Sequence, residues 1–474
     1  MVKQAVVVVH GMGEQRPLDT LTRFVDVALA PGPKGGQKYY SRPESVTGSF
    51  ESRRFLAPFA REVIGEEELL RPQTEVFEYH WADKMQGNRL DDLWPTCRRM
   101  LLCWPWRVPA GLRGLWGVAW ALVVGLGWAV GFGPLRDVWR EGDGLVAGVI
   151  GALVSSAAVA ALLSYLVSRV LPRWLTTSFV DVVRYLDTSP RSYGVRREIR
   201  KGLVEMLQAL HAPDATGSQT YDRVVLVAHS LGGYIAYDAI AHLWGLTSST
   251  TTKGAPPTLV GRAELEQAAH ALADGGSAAA YQDAQGVLFD GLRASGNPWL
   301  ITDLVTVGTP MCFADMLLPG KGRLGFAERK KRYELPTCPP LEEGRRGSPT
   351  KVAPRYSWFK HGRSEVLHEG APFAVVRWTN LYFPTWHGIT GDWFGGPLCP
   401  LFGPGIRDVP VRGNRPQRWL PALAHSLYFR YPGDLRPDSV TTALGEAMRL
   451  SRRRVRPAAR RAGGAAPRET PRSS

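Results

Sequence analysis

The sequence predicts an α/β protein built on a mostly parallel sheet flanked by helices, and three observations carry that expectation. Short runs of apolar, β-branched residues recur at strand length, bounded by turn residues. Patterns of helical period, rather than tight hairpin turns, lie between them. Between two of these segments sit stretches of 22 and 25 uncharged residues, which read as an insertion within one fold.

Lys3–Val9 (KQAVVVV) is the first expected strand, apolar almost throughout, as a strand covered on both faces of a parallel sheet must be. It is too short for a secretory signal and runs straight into His10-Gly11-Met12-Gly13, so the N-terminus is expected in the cytosol. Thr74–His80 is the next strand. Helical patterns follow at Phe179–Leu186 and Arg196–Leu210, then the strand Arg223–Ala228 (RVVLVA), the helical run Tyr234–Leu243, and the strands Leu300–Val307 and Phe373–Tyr382. Thr247–Gly276 and Pro336–Tyr356, rich in Gly, Pro, Ser and Thr, are expected as surface excursions with no catalytic part. Residues 1–110 and 173–448 then form one domain, 111–172 its insertion, and 449–474 a tail.

The insertion reads as a membrane hairpin. Gly114–Leu135 and Gly144–Ser168 carry no charge, and at ~1.5 Å rise per residue each can cross a hydrocarbon core of about 30 Å. The connection Arg136–Asp143 is short enough to make them antiparallel neighbours. Small residues at four-residue spacing (Gly127 and Gly131, Gly144 and Gly148, Ala160 and Ser164) allow close approach. Arg98, Arg99, Arg107 and Arg113 precede the first span and Arg169 and Arg173 follow the second, against Arg136 and Arg140 between them, so both flanks and both termini are expected on the cytoplasmic side. Trp104, Trp106, Trp116, Trp139 and Trp174 match an interfacial aromatic belt. The competing expectation is a pair of buried helices in a soluble domain.

Composition bounds the remaining classes. With 44% apolar residues and 16 Trp in 474, disorder throughout is excluded. Five scattered Cys provide neither a disulfide framework nor zinc-ligand spacing, so a reduced, intracellular setting is expected and no metal or organic cofactor is required. The net charge of +15 is unevenly spread: Arg449–Ser474 holds nine Arg and one Glu, hence +8 of it. That tail has too little apolar surface to fold and is expected to be disordered. Binding of nucleic acid by it would rest on composition alone, and no specific nucleic-acid partner is expected.

The chemistry concentrates in Ala228-His229-Ser230-Leu231-Gly232-Gly233, between a strand and a helix. A serine on so tight a turn needs small neighbours two residues to either side, which Ala228 and Gly232 are. The turn presents Ser230 at a helix N-terminus, where free N–H groups favour developing negative charge: a nucleophile elbow. The loop His10-Gly11-Met12-Gly13 after the first strand can bring the Met12 N–H toward the Leu231 N–H, together forming an oxyanion hole. An acid and then a histidine should follow the nucleophile. Asp392 and His425 are the choices, with Asp408 and His387 as rivals. Asp303 inside a strand, Asp434 after His425, and His229 beside the nucleophile fit less well.

At these residues the chain resembles the α/β-hydrolase serine esterases and lipases. The elbow with Ala at its first position and the His-Gly-Met-Gly loop are similar to those of small bacterial lipases. Val307-Gly308-Thr309-Pro310, Trp378-Thr379-Asn380-Leu381-Tyr382 and His425-Ser426 are similar to segments of uncharacterised bacterial membrane-associated hydrolases. The resemblance implies an α/β-hydrolase fold around the inserted hairpin and a triad of Ser230, Asp392 and His425. It implies a serine esterase or lipase acting through an acyl-enzyme, with a lipid or lipophilic ester as substrate and the bilayer as partner. The alternative is an inactive membrane protein that keeps the scaffold for binding.

Overall fold

The computed structural model describes residues 2–11, 16–29, 39–44, 46, 52–64, 67–85, 102–108, 173–187, 190–250, 258–318, 325–341, 358–361, 364–385, 390–413, 424–430, 434, 436–450 and 452–455, with seven further positions between 113 and 125. Its strands are β1 (Lys3–Val9), β2 (Tyr40–Pro43), β3 (Arg53–Ala57), β4 (Ala60–Ile64), β5 (Glu67–Arg71), β6 (Gln73–Tyr79), β7 (Arg223–His229), β8 (Ile301–Val307), β9 (Trp358–His361), β10 (Ser364–Leu367), β11 (Arg377–Tyr382), β12 (Arg407–Pro410) and β13 (Arg452–Val455). Eight of them form one sheet in the order β12-β11-β8-β7-β1-β6-β3-β2. The six from β12 to β6 run parallel, while β3 and β2 close one edge antiparallel. The expected mostly parallel α/β architecture is therefore present.

Alternation along β1 explains how both sheet faces are covered. Ala5, Val7 and Val9 belong to one hydrophobic core and Val6 and Val8 to the other, each at or near zero exposure. Helices Pro190–His211, Gly232–Thr247, Arg262–Ala273 and Ala278–Ala294 contribute to the first core, and Asp19–Ala28 and Val440–Ala447 to the second. From β1 the chain goes to β6 on one side and later to β7 on the other. The loops leaving β1 and β7 therefore lie at the point where the order of connection reverses across the sheet. Val9 stands opposite Ala228, which brings the two loops to the same level.

Several local expectations change. Phe373–Tyr382 is not one strand: Pro372–Ala374 is a 3-10 turn with Pro at its start, and β11 begins only at Arg377. Within the stretch read as a surface excursion, Arg262–Ala273 is a helix that buries Leu265, Ala269 and Leu272, spaced on one face and masked in the sequence by the polar residues around them. Thr337 and Cys338, in the other excursion, are also buried, and residues 342–356 lie outside the described ones. Arg452–Val455, inside the expected unfolded tail, pairs antiparallel with β5. A β ladder supplies backbone hydrogen bonds without requiring an apolar core, which is why composition gave no sign of it.

Of the uncharged stretches, 144–168 lies outside the described residues, and 114–135 is described only at six helical positions. No helix among the described residues is long and apolar enough to cross a membrane. Just ahead of the first stretch, Trp104 and Trp106 stack on each other with ring centroids 4.8 Å apart, and remain 62% and 69% exposed.

Candidate active site

Ser230 has φ +54, a left-handed conformation that costs an L-residue about 1–2 kcal/mol. Surrounding bonds hold it there. Its N–H donates to the Val307 carbonyl at 3.0 Å, and its own carbonyl accepts the Gly233 N–H at 3.0 Å. A Cβ on Gly232 would lie 2.4 Å from the Val9 oxygen and 2.8 Å from that of His10. The small residue is thus demanded by the close passage of β1, a different element, and not by collision across the turn itself. The helix Gly232–Thr247 starts immediately after Leu231, and N–H groups at a helix start lack intrahelical partners.

His425 Nε2 lies 2.8 Å from Ser230 Oγ, and His425 Nδ1 lies 3.1 Å from both carboxylate oxygens of Asp392. An ionised Asp392 only accepts, so Nδ1 carries the imidazole proton and Nε2 accepts the seryl proton. Asp392 also accepts the Phe394 N–H at 2.8 Å and the Tyr428 hydroxyl at 2.9 Å. Burial would raise its pKa, but His425, the Phe394 N–H and the Tyr428 hydroxyl outweigh burial and hold it below the ordinary carboxylate value. Asp392 is the tenth residue after the end of β11, yet its N–H bonds back to the Phe383 carbonyl at 3.3 Å. Gly391, at φ +87 and packed where a Cβ would stand 2.2 Å from the Pro384 oxygen, permits that return.

The other aspartates considered are used elsewhere. Asp408 accepts from Asn380 Nδ2 at 2.7 Å and from the Leu398 and Cys399 N–H groups, so it ties a loop to the sheet edge. Asp303 forms a buried two-bond ion pair with Arg377, and Asp434 pairs with Arg436. His387 lies outside the described residues, as does Met12. Among the described residues, no group of three or more His, Cys, Asp or Glu is arranged to hold a metal ion.

The loop expected to carry Met12 does reach the nucleophile. A Cβ on Gly11 would lie 2.6 Å from His229 Nδ1 and 2.9 Å from Ser230 Cβ. His10 anchors the loop: its Nδ1–H donates to the Gly11 oxygen at 2.8 Å and its Nε2 accepts the Trp81 N–H at 3.1 Å. Trp81 stacks on the ring at 4.9 Å and donates its indole N–H to the His10 carbonyl. His229 donates Nε2–H to the His425 carbonyl at 3.0 Å. Burial pushes both His10 and His229 down to about 3, so both are neutral at ordinary pH. Sequence reasoning missed Tyr428 and Trp81. The former stands three residues after His425 and was within reach of motif reading, whereas nothing near Trp81 marked it.

Comparison with protein-family models, with curated proteins and with solved structures finds no match to this chain.

The arrangement can move a proton from Ser230 Oγ to His425 as the oxygen attacks an electrophilic carbon, with Asp392 holding the resulting imidazolium. Ser230 is 0% exposed, so such a carbon reaches it only through a rearrangement of what covers it.

Proposed function

We propose that the chain is a serine hydrolase of the α/β-hydrolase type that cleaves a carboxylic ester through an acyl-enzyme. The observation that carries this reading is the unbroken hydrogen-bonded chain from Ser230 Oγ through His425 to Asp392, set on an elbow at positive φ. The strand order is in keeping with it, as is the appearance of the acid after β11 and the histidine after β12. In this reading Ser230 is the nucleophile, His425 the general base and then acid, and Asp392 its orienter. The Leu231 N–H stabilises the oxyanion, with Met12 as the expected second donor.

The reading extends to the membrane. Gly114–Leu135 and Gly144–Ser168 form a two-span hairpin with the catalytic domain and both termini cytoplasmic, so that a lipid or lipophilic ester is the natural substrate class. Its support is the lack of charge in both stretches and the exposed Trp104–Trp106 pair ahead of the first. The competing reading, an inactive scaffold used for binding, draws on one observation, the complete burial of Ser230.

Labelling decides between them. Protein purified in detergent should take up a fluorophosphonate stoichiometrically, and Ser230→Ala should abolish uptake without lowering the melting temperature. Folded wild-type protein that stays unlabelled and hydrolyses no ester of any chain length would overturn the proposal.

A further inference from the structure

Resting on that reading, we infer that Tyr428 is a positioning residue for the triad, acting on Asp392 and through it on His425. Its ring is buried, stacked on Phe383 with centroids 4.1 Å apart. The Phe383 N–H donates to the Tyr428 oxygen at 2.9 Å, which occupies its acceptor side. The hydroxyl proton is left to point at Asp392 Oδ2, 2.9 Å away. On the other oxygen, Oδ1, the Phe394 N–H does the same. Two donors, one per oxygen, therefore fix the carboxylate plane at the orientation in which both oxygens stand 3.1 Å from His425 Nδ1. Tyr428, three residues after His425 and held by the Phe383 N–H just past β11, thus ties the acid to the segment that carries the histidine, while Phe394 ties it to its own loop.

The charged and titratable groups around this contact are few. His229 has its ring 5.1 Å from that of His425, and Cys312 has its sulfur 3.4 Å from the Phe394 oxygen. Burial keeps His229 neutral, with a pKa of about 3, and pushes the Cys312 thiol up. Burial, and then the Asp392 charge, push the Tyr428 hydroxyl well up, so it remains a donor.

The test compares wild type with Tyr428→Phe, both as full chains in detergent, by fluorophosphonate inactivation rate and by the kcat and KM of p-nitrophenyl butyrate hydrolysis. Removing one of the two donors leaves the carboxylate free to turn out of the plane that faces His425 Nδ1, so turnover should fall about tenfold, a barrier change of ~1.4 kcal/mol, with KM unchanged. In an Asp392→Asn background the same change should add nothing further, because its route of action is gone. A rise in KM in place of the fall in turnover, or an equal loss in the Asp392→Asn background, overturns the inference and leaves Tyr428 a packing residue. Wild type unreactive toward both probe and ester overturns the serine hydrolase reading and the inference with it, whereas reactive wild type beside an unaltered Tyr428→Phe variant overturns the inference alone.

Discussion

At the scale of single residues, two aspartates close to the same sheet edge have different partners, and those partners set what each can do. Asp392 faces an imidazole nitrogen, so its charge has somewhere to act; Asp408 accepts from the Leu398 and Cys399 N–H groups, the Asn380 amide and the Cys399 thiol. Asp392→Asn should leave His425 in the wrong tautomer and cut turnover by a factor that in a well-studied protease triad is about 10⁴. Asp408→Asn should instead loosen the loop after Gly396, costing stability with little change in the labelling rate. Rate and melting temperature measured on both variants check this: an inactive Asp408→Asn beside an active Asp392→Asn reverses the assignment. The elbow teaches the complementary lesson, since Gly232 was legible as a required small residue while its reason, the carbonyl of Val9, lay in another element.

At the scale of elements, the parts legible in the sequence were those whose signal is local. Strand β7, its turn and its helix announce themselves within the 25 residues from Arg223 to Thr247, and β1 does so by unbroken valines. What stayed hidden depends on chain segments meeting: the fold-back that returns Asp392 to β11, the stacking of Trp81 on His10, and the pairing of Arg452–Val455 with β5. Buried histidines are a further example, because a histidine in a sequence carries no mark of its protonation. His211 ends the helix Pro190–His211, donates Nδ1–H to the Leu207 oxygen at 2.7 Å and accepts the Leu300 N–H at 3.0 Å, linking that helix to the start of β8. Burial lowers it to about 4, and His10 and His229 to about 3, from an ordinary 6.5. The unfolded chain therefore binds more protons than the folded one as pH drops below about 6.5, so the stability these groups contribute is full above that value and is lost as pH falls toward 3–4. Each can contribute a slope of up to about 1.4 kcal/mol per pH unit in that window. Asp392 acts in the same direction but only below its ordinary value of 3.8. Melting temperature should decline steadily from pH 6.5 to 4.5, and His211→Gln should show a shallower decline; a flat profile across that range would mean these histidines are not held neutral.

At the scale of the whole molecule, two features compete to explain any attraction to membranes, and they differ in physics. The tail from Arg449 concentrates +8 of charge, an attraction to anionic headgroups that salt screens over roughly 10 Å at 0.1 M. Two uncharged stretches of 22 and 25 residues would act through hydrocarbon burial, which salt does not weaken. If the hairpin spans the bilayer, the full chain should stay with the membrane fraction in both high salt and alkaline carbonate and leave it only in detergent. Deleting residues 114–168 and joining the flanks should then free a protein that salt alone removes from membranes, and that still takes up fluorophosphonate, since no side chain of the triad comes from the deleted segment. In that variant Trp104→Ser with Trp106→Ser should weaken residual binding to zwitterionic vesicles, where the basic tail gains nothing, because those rings are 62% and 69% exposed with no span left to hold them at the interface. Release of the intact chain by carbonate would remove the hairpin from the account, and release by salt alone would assign membrane binding to the tail.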